Sequence, residues 1–524
     1  MSQKVNPWII AVTVTLATLM EVLDTSIANV ALPHIAGSLG ATQHESTWII
    51  TSYLVANAVA LPVSSYLSLL IGRKRFYMIC VVIFGLSSVL CGLAQSLPML
   101  LAFRVLQGVG GGGLGPSEQA ILADTFPPAK RGQAFALYGV VVVMAPTIGP
   151  TLGGWITDNY DWRWIFFINV PITMLSLFLT YRLVEDPPTV KAETRKLRKG
   201  KLNLDYIGFG LVALAFGSLE VVLDKGQEED WFDSAFVSTF AVFAVAGLIG
   251  FVIWELRQVR RGLRPVLDLR LFKNRNLAVS FALMFVVGFI LYATLTMIPQ
   301  MLQTLMGYPA ETAGFAISAG GLATLVLMPV VGILIGKMDP RYLVIFGFVT
   351  MCAGLYYSAG LNLQMSFEYA SKIRAFQCIG LAFLFVPVNT LAYVGTRPEH
   401  SNDVSGLTNL ARNIGGSCGT SFFSTVLARH QQTHQQFLVQ HAVSGNPGYV
   451  ARLEAMTQQA LSSTASQFDA QHQALSQFYT QLQQQASVLS YIDVITYLAI
   501  IAFVCIPLPL LLRKPLKGAA AVAH

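Results

Sequence analysis

Fourteen long apolar stretches run through this chain, at 9–32, 46–70, 76–95, 98–123, 133–157, 163–183, 205–223, 234–255, 278–301, 312–336, 342–361, 371–395, 403–428 and 489–512. Each holds about 18 to 25 residues, which at 1.5 Å per helical residue crosses a hydrocarbon layer of about 30 Å. Lipid offers no partner to a backbone N–H or C=O, so each stretch is expected to close its hydrogen bonds internally as a helix. The expectation is an all-α polytopic membrane protein. Composition agrees, because 54% of the 524 residues are hydrophobic and only 12% are charged, about half the charged share of a soluble domain. The first stretch is too long for a cleavable leader, carries Glu21 and Asp24, lacks a small-residue cleavage site and is followed by many more spanners.

Orientation follows from where the cations fall. If both termini are cytoplasmic, most of the 34 Lys and Arg lie on cytoplasmic ends and loops: Arg73, Lys74, Arg75, Lys130, Arg131, the cluster from Arg182 to Lys201, the cluster from Arg257 to Arg275, and Arg513 to Lys517. The net charge of +7 is therefore read as topology, with no nucleic-acid partner, because no soluble domain stands behind these short loops. The six cysteines (Cys80, Cys91, Cys352, Cys378, Cys418, Cys505) all fall in spanners without paired spacing. Neither a disulfide framework nor a zinc site is expected, and no metal.

Transporters are commonly built from internal repeats, and one is visible at an offset of 270 residues. Arg104, Gln107 and Gly110 return as Arg374, Gln377 and Gly380, while Pro128, Leu137 and Gly149 return as Pro398, Leu407 and Gly419. Ile71-Gly72-Arg73 likewise resembles Ile335-Gly336-Lys337. Spanners one to six then form a first copy (1–183), and spanners nine to fourteen a second (278–524). Two inserted spanners lie between them within basic linkers (184–277), a six plus two plus six plan. Residues 429–487, rich in Gln and His, fall on the outer side in this topology. Their apolar spacing fits amphipathic helices broken at Gly445 to Pro447. This segment is either a helical hairpin or loop of its own, or a docking surface for a periplasmic partner.

An ionisable group near a bilayer centre costs roughly 2.5 to 3.5 kcal/mol on insertion scales, so each one inside a spanner is a functional candidate. Glu21 and Asp24 lie one turn apart in spanner one, and Arg104 in spanner four sits at a depth similar to that of Asp24. A carboxylate there is suited to carrying a proton, and an Asp24–Arg104 pair would neutralise both charges. Glu118 in spanner four and Arg412 in spanner thirteen are further candidates facing a watery cavity. Arg374, a few residues from a spanner end, is expected to snorkel. The run Gly108 to Gly113 formally matches GxGxxG but lies inside a spanner, so close helix packing is the better reading than a dinucleotide site. In spanner five, Pro146, Gly149, Pro150, Gly153 and Gly154 predict a kinked helix that rocks against a neighbour. No phosphate loop or hydrolase motif occurs; the chain is read as a transporter and not an enzyme, with no cofactor and with its drive taken from an ion gradient.

Five motifs in order carry a family resemblance over essentially the whole chain. They are Leu23-Asp24-Thr25-Ser26-Ile27-Ala28-Asn29-Val30-Ala31-Leu32-Pro33, Trp48 to Tyr53, Arg104-Val105-Leu106-Gln107-Gly108, Gly149-Pro150 with Gly153-Gly154, and Trp162 to Pro171. The sequence resembles the fourteen-spanner drug:proton antiporter family of the major facilitator superfamily, more narrowly its EmrB-type members. The resemblance implies a major facilitator fold and export of hydrophobic or amphipathic drugs across the inner membrane in exchange for protons. Asp24 and Arg104 would match positions tied to coupling. Asn29, Gln107 and Arg412 become candidates for the substrate cavity. A periplasmic adaptor, and through it an outer-membrane channel, become expected partners. One departure stands out: Leu69 and Leu70 precede Gly72-Arg73-Lys74 where the superfamily usually has an acidic and a basic residue, so the usual charged cytoplasmic latch is expected to be altered. Two other readings remain open at this stage: an exporter of one physiological solute such as a fatty acid, siderophore or peptide, and a membrane scaffold or sensor whose loop recruits partners.

Overall fold

A computed structural model describes residues 6–199, 205–397, 400–462 and 466–513. The ends of two basic clusters (200–204 and 514–517), both termini and Pro398 lie outside the described residues. Fourteen long helices appear: α1 Pro7–Leu39, α2 Gln43–Ile71, α3 Arg73–Gly92, α4 Leu97–Thr125, α5 Arg131–Asn159, α6 Trp164–Leu183, α7 Tyr206–Lys225, α8 Ala235–Arg260, α9 Arg275–Thr304, α10 Ala310–Leu334, α11 Pro340–Ser358, α12 Phe367–Ala392, α13 Ser401–Gln440 and α14 Gln467–Cys505. Thirteen are long and apolar enough to cross a membrane. The fourteenth, α13, falls short in hydropathy for a physical reason: Ser401 to Arg412 is buried among other helices, polar side chains included, so this part of α13 meets protein and not lipid.

Local chemistry sets the helix ends. Thr42 and Glu45 form a reciprocal capping box at the start of α2. Gly40 closes α1 at φ 64°, a left-handed conformation open to glycine without a Cβ penalty. Between α2 and α3 the chain turns at Gly72, φ 100°.

The helix pairs repeat. The contacts α1–α5, α2–α4 and α3–α4 of the first half return as α9–α13, α10–α12 and α11–α12 in the second. The halves meet along α5 and α10, along α2 and α13, and where α4 ends against α13. The glycine run of α4 serves packing as expected: a Cβ on Gly110 would stand 2.7 Å from Phe84 N of α3, and one on Gly112 would stand 2.6 Å from Asn57 O of α2. The helix α4 itself is interrupted at Gly112 and Gly113.

The inserted pair is not a free spacer. A π-helical turn, Ala213–Gly217, interrupts α7; such turns shift the face that a helix presents. Beyond it α7 packs between α2 and α13, one from each half. Its partner α8 turns Val242, Val245, Leu248, Ile249 and Ile253 outward, as a helix bordering lipid does.

Residues 429–487 are for the most part continuous with the spanners. Helix α13 runs on to Gln440, a short helix Pro447–Leu461 follows a break at 441–446, and α14 begins at Gln467. The extension is a helical hairpin, with the break at the expected place.

Candidate functional site

Asp24 is the hub of a sealed network inside the first half. It is 2% exposed and Arg104 is fully buried. Arg104 Nη1 donates to Asp24 Oδ2 at 2.5 Å. Asp24 Oδ1 accepts from Gln107 Nε2 at 2.9 Å and from Asn169 Nδ2 of α6 at 2.8 Å. Gln107 and Asn169 also donate to Ser88 Oγ of α3. Arg104 Nε donates to the Ile49 carbonyl of α2 at 3.2 Å, and its guanidinium lies 4.5 Å from the Tyr53 ring centre. Side chains of α4 and α6 thus bond the carboxylate of α1, and α2 and α3 complete a five-helix junction around it. Separating the two charges would leave a buried ion unpaired, at a penalty of about 3–5 kcal/mol. Among the candidates expected to line a substrate cavity, Gln107 lies inside this network and is fully buried, whereas Asn29 is exposed on α1 with its Nδ2 bonded to the Thr25 carbonyl.

Glu21, one turn before Asp24, has different partners. Its Oε1 accepts from Asn57 Nδ2 of α2 at 3.1 Å, and Asn57 Oδ1 faces Asn413 Nδ2 of α13 at 3.5 Å. From there polar groups run across the boundary between the halves. Arg412 Nη1 donates to Tyr138 OH of α5 at 2.7 Å, Tyr138 OH to Asn409 Oδ1 at 3.0 Å, and Asn409 Nδ2 to Gln119 Oε1 of α4 at 3.0 Å. Glu118, fully buried, accepts from Thr15 Oγ1 at 2.7 Å and from Thr18 of α1. It is therefore held within the first half and does not join Arg412.

The motif of α5 docks on α1 beside Asp24. A Cβ on Gly149 would land on the Ser26 side chain, and one on Gly153 would lie 3.1 Å from Ile27. Gly154 has open space around it. Pro150 has no N–H to give the Pro146 carbonyl, and Ser26 Oγ supplies a donor there at 3.0 Å. The helix runs unbroken through both prolines.

The second half repeats the Arg–Gln–Ser part of this network without its carboxylate. Gln377 Nε2 donates to Ser358 Oγ at 3.1 Å, as Gln107 does to Ser88, but Arg374 Nη1 meets Thr294 Oγ1 at 3.1 Å where Arg104 meets Asp24. All four positions keep the 270-residue offset. Arg374 is 1% exposed and forms no ion pair among the described residues. The expectation that it snorkels is thus wrong: Thr294 of α9 and Gly320 of α10 pack against it, on the side that counting from a helix end takes to be open.

Three residues missed in the sequence lie on α7. Glu220 accepts from Ser417 Oγ of α13 at 2.8 Å, Asp224 accepts from Thr51 of α2, and Lys225 donates to Thr47 of α2 with its ammonium 5.2 Å from the Trp48 ring centre. The last two turns of α7 therefore grip both halves.

At the face that carries the loops after α2, α4 and α12, the seam is closed. Ser65 Oγ donates to the Asn402 carbonyl and Asn402 Nδ2 to Ser68 Oγ, both at 2.9 Å, and Ser405 Oγ donates to the Pro116 carbonyl at 2.8 Å. The altered latch has other acids: Arg73 pairs with Asp124 at the end of α4, and Asp186 Oδ1 accepts from Lys74 N at 2.9 Å.

A family model described as Major Facilitator Superfamily matches residues 14–420. The chain is 36% identical over 465 residues to the Multidrug export protein EmrB of Escherichia coli (strain K12), covering 88% of each. It is 35% identical over 501 residues to the Fatty acid resistance protein FarB of Neisseria gonorrhoeae, covering 95% of each. Among solved structures, the proton:xylose symporter XylE bound to 6-bromo-6-deoxy-D-glucose superposes with a TM-score of 0.56 at 15% identity, over 96% of each chain. That likeness concerns the fold alone.

Proposed function

The chain belongs to the Major Facilitator Superfamily, and on that premise we propose that it exports hydrophobic or amphipathic drugs by alternating access in exchange for protons. It is a multi-pass protein of the inner membrane with both termini in the cytoplasm, where its basic loops belong. The observation that carries this reading is the pairing of two carboxylates on one helix: Asp24 is locked to Arg104, while Glu21 reaches the seam through Asn57. A proton on Asp24 cancels its attraction for Arg104 and loosens the five-helix junction. Substrate in the seam meets Glu21 and Arg412 from opposite halves, so one helix, α1, registers both events. Rocking occurs along α5 and α10, with the contacts of Asn402 and Ser405 breaking when the seam opens to the cytoplasm.

The hairpin beyond α13 and α14 is the docking face for a periplasmic adaptor, and through it the pump joins an outer-membrane channel. Residues 429–440 extend α13 by ~18 Å, and Phe437, Val443, Phe468 and Leu475 are exposed on the hairpin, apolar groups suited to a protein partner.

The test is drug efflux from proteoliposomes of purified protein, with and without an imposed pH gradient. Gradient-driven efflux in the wild type that disappears in Asp24→Asn supports the reading; undiminished gradient-driven efflux in that variant removes Asp24 from the coupling.

A second reading, export of one amphipathic anion such as a fatty acid, is favoured by the likeness to FarB and by Arg412, a guanidinium set in the seam. Competition by long-chain fatty acids, and none by cationic drugs, would select it.

A further inference from the structure

Outside the transport path, three metal-ligating side chains converge at the root of the hairpin. His430 and His434 lie four residues apart on α13, hence on one helix face, and both turn toward Asp493 of α14. His430 Nδ1 lies 2.6 Å and His434 Nε2 2.7 Å from the same oxygen, Asp493 Oδ2. The three donor atoms lie within 4.8 Å of one another, and all three side chains are partly exposed, between 26% and 33%. Tyr497 presents its ring edge to His430 at 5.7 Å, and Gln431 Nε2 donates to Ser487 Oγ at 2.9 Å. The two helices are thus already held in register on either side of the cluster.

We propose that His430, His434 and Asp493 bind one divalent transition-metal ion of the zinc class, which staples α13 to α14 where the hairpin leaves the bundle. Two imidazoles and one carboxylate are a familiar zinc donor set, and two histidines four apart on a helix are its simplest scaffold. Imidazole donors favour zinc over magnesium or calcium, which take oxygen ligands. Three protein ligands leave a fourth position for water, and the partial exposure gives the ion an entry path. Because one carboxylate oxygen is directed at both rings, an ion among them replaces two N–H···O contacts with three coordination bonds after a small outward shift of the side chains. The site touches neither Asp24 nor the seam, so its effect is on the rigidity of the hairpin base.

The experiment is equilibrium Zn²⁺ binding by the purified full-length protein in detergent, read by competition with a chromophoric chelator. The expected result is one saturable site per chain, weakened about tenfold or more in His434→Gln and in Asp493→Asn but unchanged in His472→Gln, an exposed histidine elsewhere on the hairpin. Absence of saturable binding in the wild type overturns the proposal, as does equal binding in both site variants. Should the site variants fail to elute as single species, Co²⁺ added to the wild type decides. Visible bands of a low-coordinate nitrogen and oxygen site support the proposal, and the unchanged spectrum of aqueous Co²⁺ overturns it.

Discussion

Ser26 of α1 donates a hydrogen bond of 3.0 Å to the Pro146 carbonyl of α5, the acceptor that Pro150 cannot reach for want of an N–H. The bond ties the proline-containing helix to the helix of Asp24 two residues away, and Gly149 makes room for it.

The three motif glycines of α5, Gly149, Gly153 and Gly154, are therefore expected to differ. Gly149→Ala drives a methyl group into Ser26 and should lower stability by about 1–3 kcal/mol while abolishing efflux. Gly153→Ala, tight against Ile27, should be milder, and Gly154→Ala should behave as wild type. Thermal midpoints with efflux rates of the three variants check this order, and an equal response to all three would refute it.

Removing Arg104 alone should destabilise the protein by about 3–5 kcal/mol, since Asp24 is left buried and unpaired. The double variant Asp24→Asn/Arg104→Gln should regain most of that stability, yet remain without gradient-driven efflux. Thermal unfolding and proteoliposome transport separate the two effects.

Because α7 holds α2 through Asp224 and α13 through Glu220, Glu220→Leu should slow drug turnover several-fold without lowering the amount of folded protein. Turnover equal to wild type at saturating drug would show that the inserted pair takes no part in movement between the halves.

Deleting the hairpin residues 441–466 should abolish drug resistance in cells while sparing efflux in proteoliposomes, where no adaptor is needed. Loss of both activities would count against an adaptor-docking role.

At the face of the closed seam, His400 lies 3.1 Å from Asp403 Oδ2. This hydrogen bond raises the imidazole pKa above its ordinary value, Asp268 adds to the effect, and burial and Arg264 oppose it. A raised folded-state pKa means that the contact stabilises fully below the unfolded pKa of about 6.5 and is lost as pH rises through the folded value. The drop in thermal midpoint over that window should be smaller in His400→Gln than in wild type.

Much of this arrangement is legible in the sequence. The fourteen stretches read as helices because lipid permits little else, and Asp24 and Arg104 pair because each is a charge in a spanner at a similar depth. The anchoring role of α7 is not legible. Glu220 lies inside the stretch 205–223 and carries the same signal as Glu21, but the stretch stops one residue short of Asp224, and the π turn defeats the count at 3.6 residues per turn that would say which neighbours the two acids face. Thr294 carries no signal by itself: it gains meaning only when set 270 residues on from Asp24. Asp124 likewise falls one residue past the end of an apolar stretch, and the residues around Gly72 carry no sign that it is the acid that partners Arg73.

The uneven duplication gives the molecule an electrical asymmetry. Asp24, Glu21 and Glu118 sit in the first half, where Arg104 balances Asp24, whereas Arg374 and Arg412 sit in the second, with Thr294 where a matching acid would stand. With Glu21 and Glu118 ionised, opposite charges on the two halves draw them together; under the proposed exchange, each proton taken up would subtract from that attraction. Under the proposed proton exchange, proton binding would become a mechanical event spread along the interface, and the membrane voltage would act with unequal force on two halves that share one architecture.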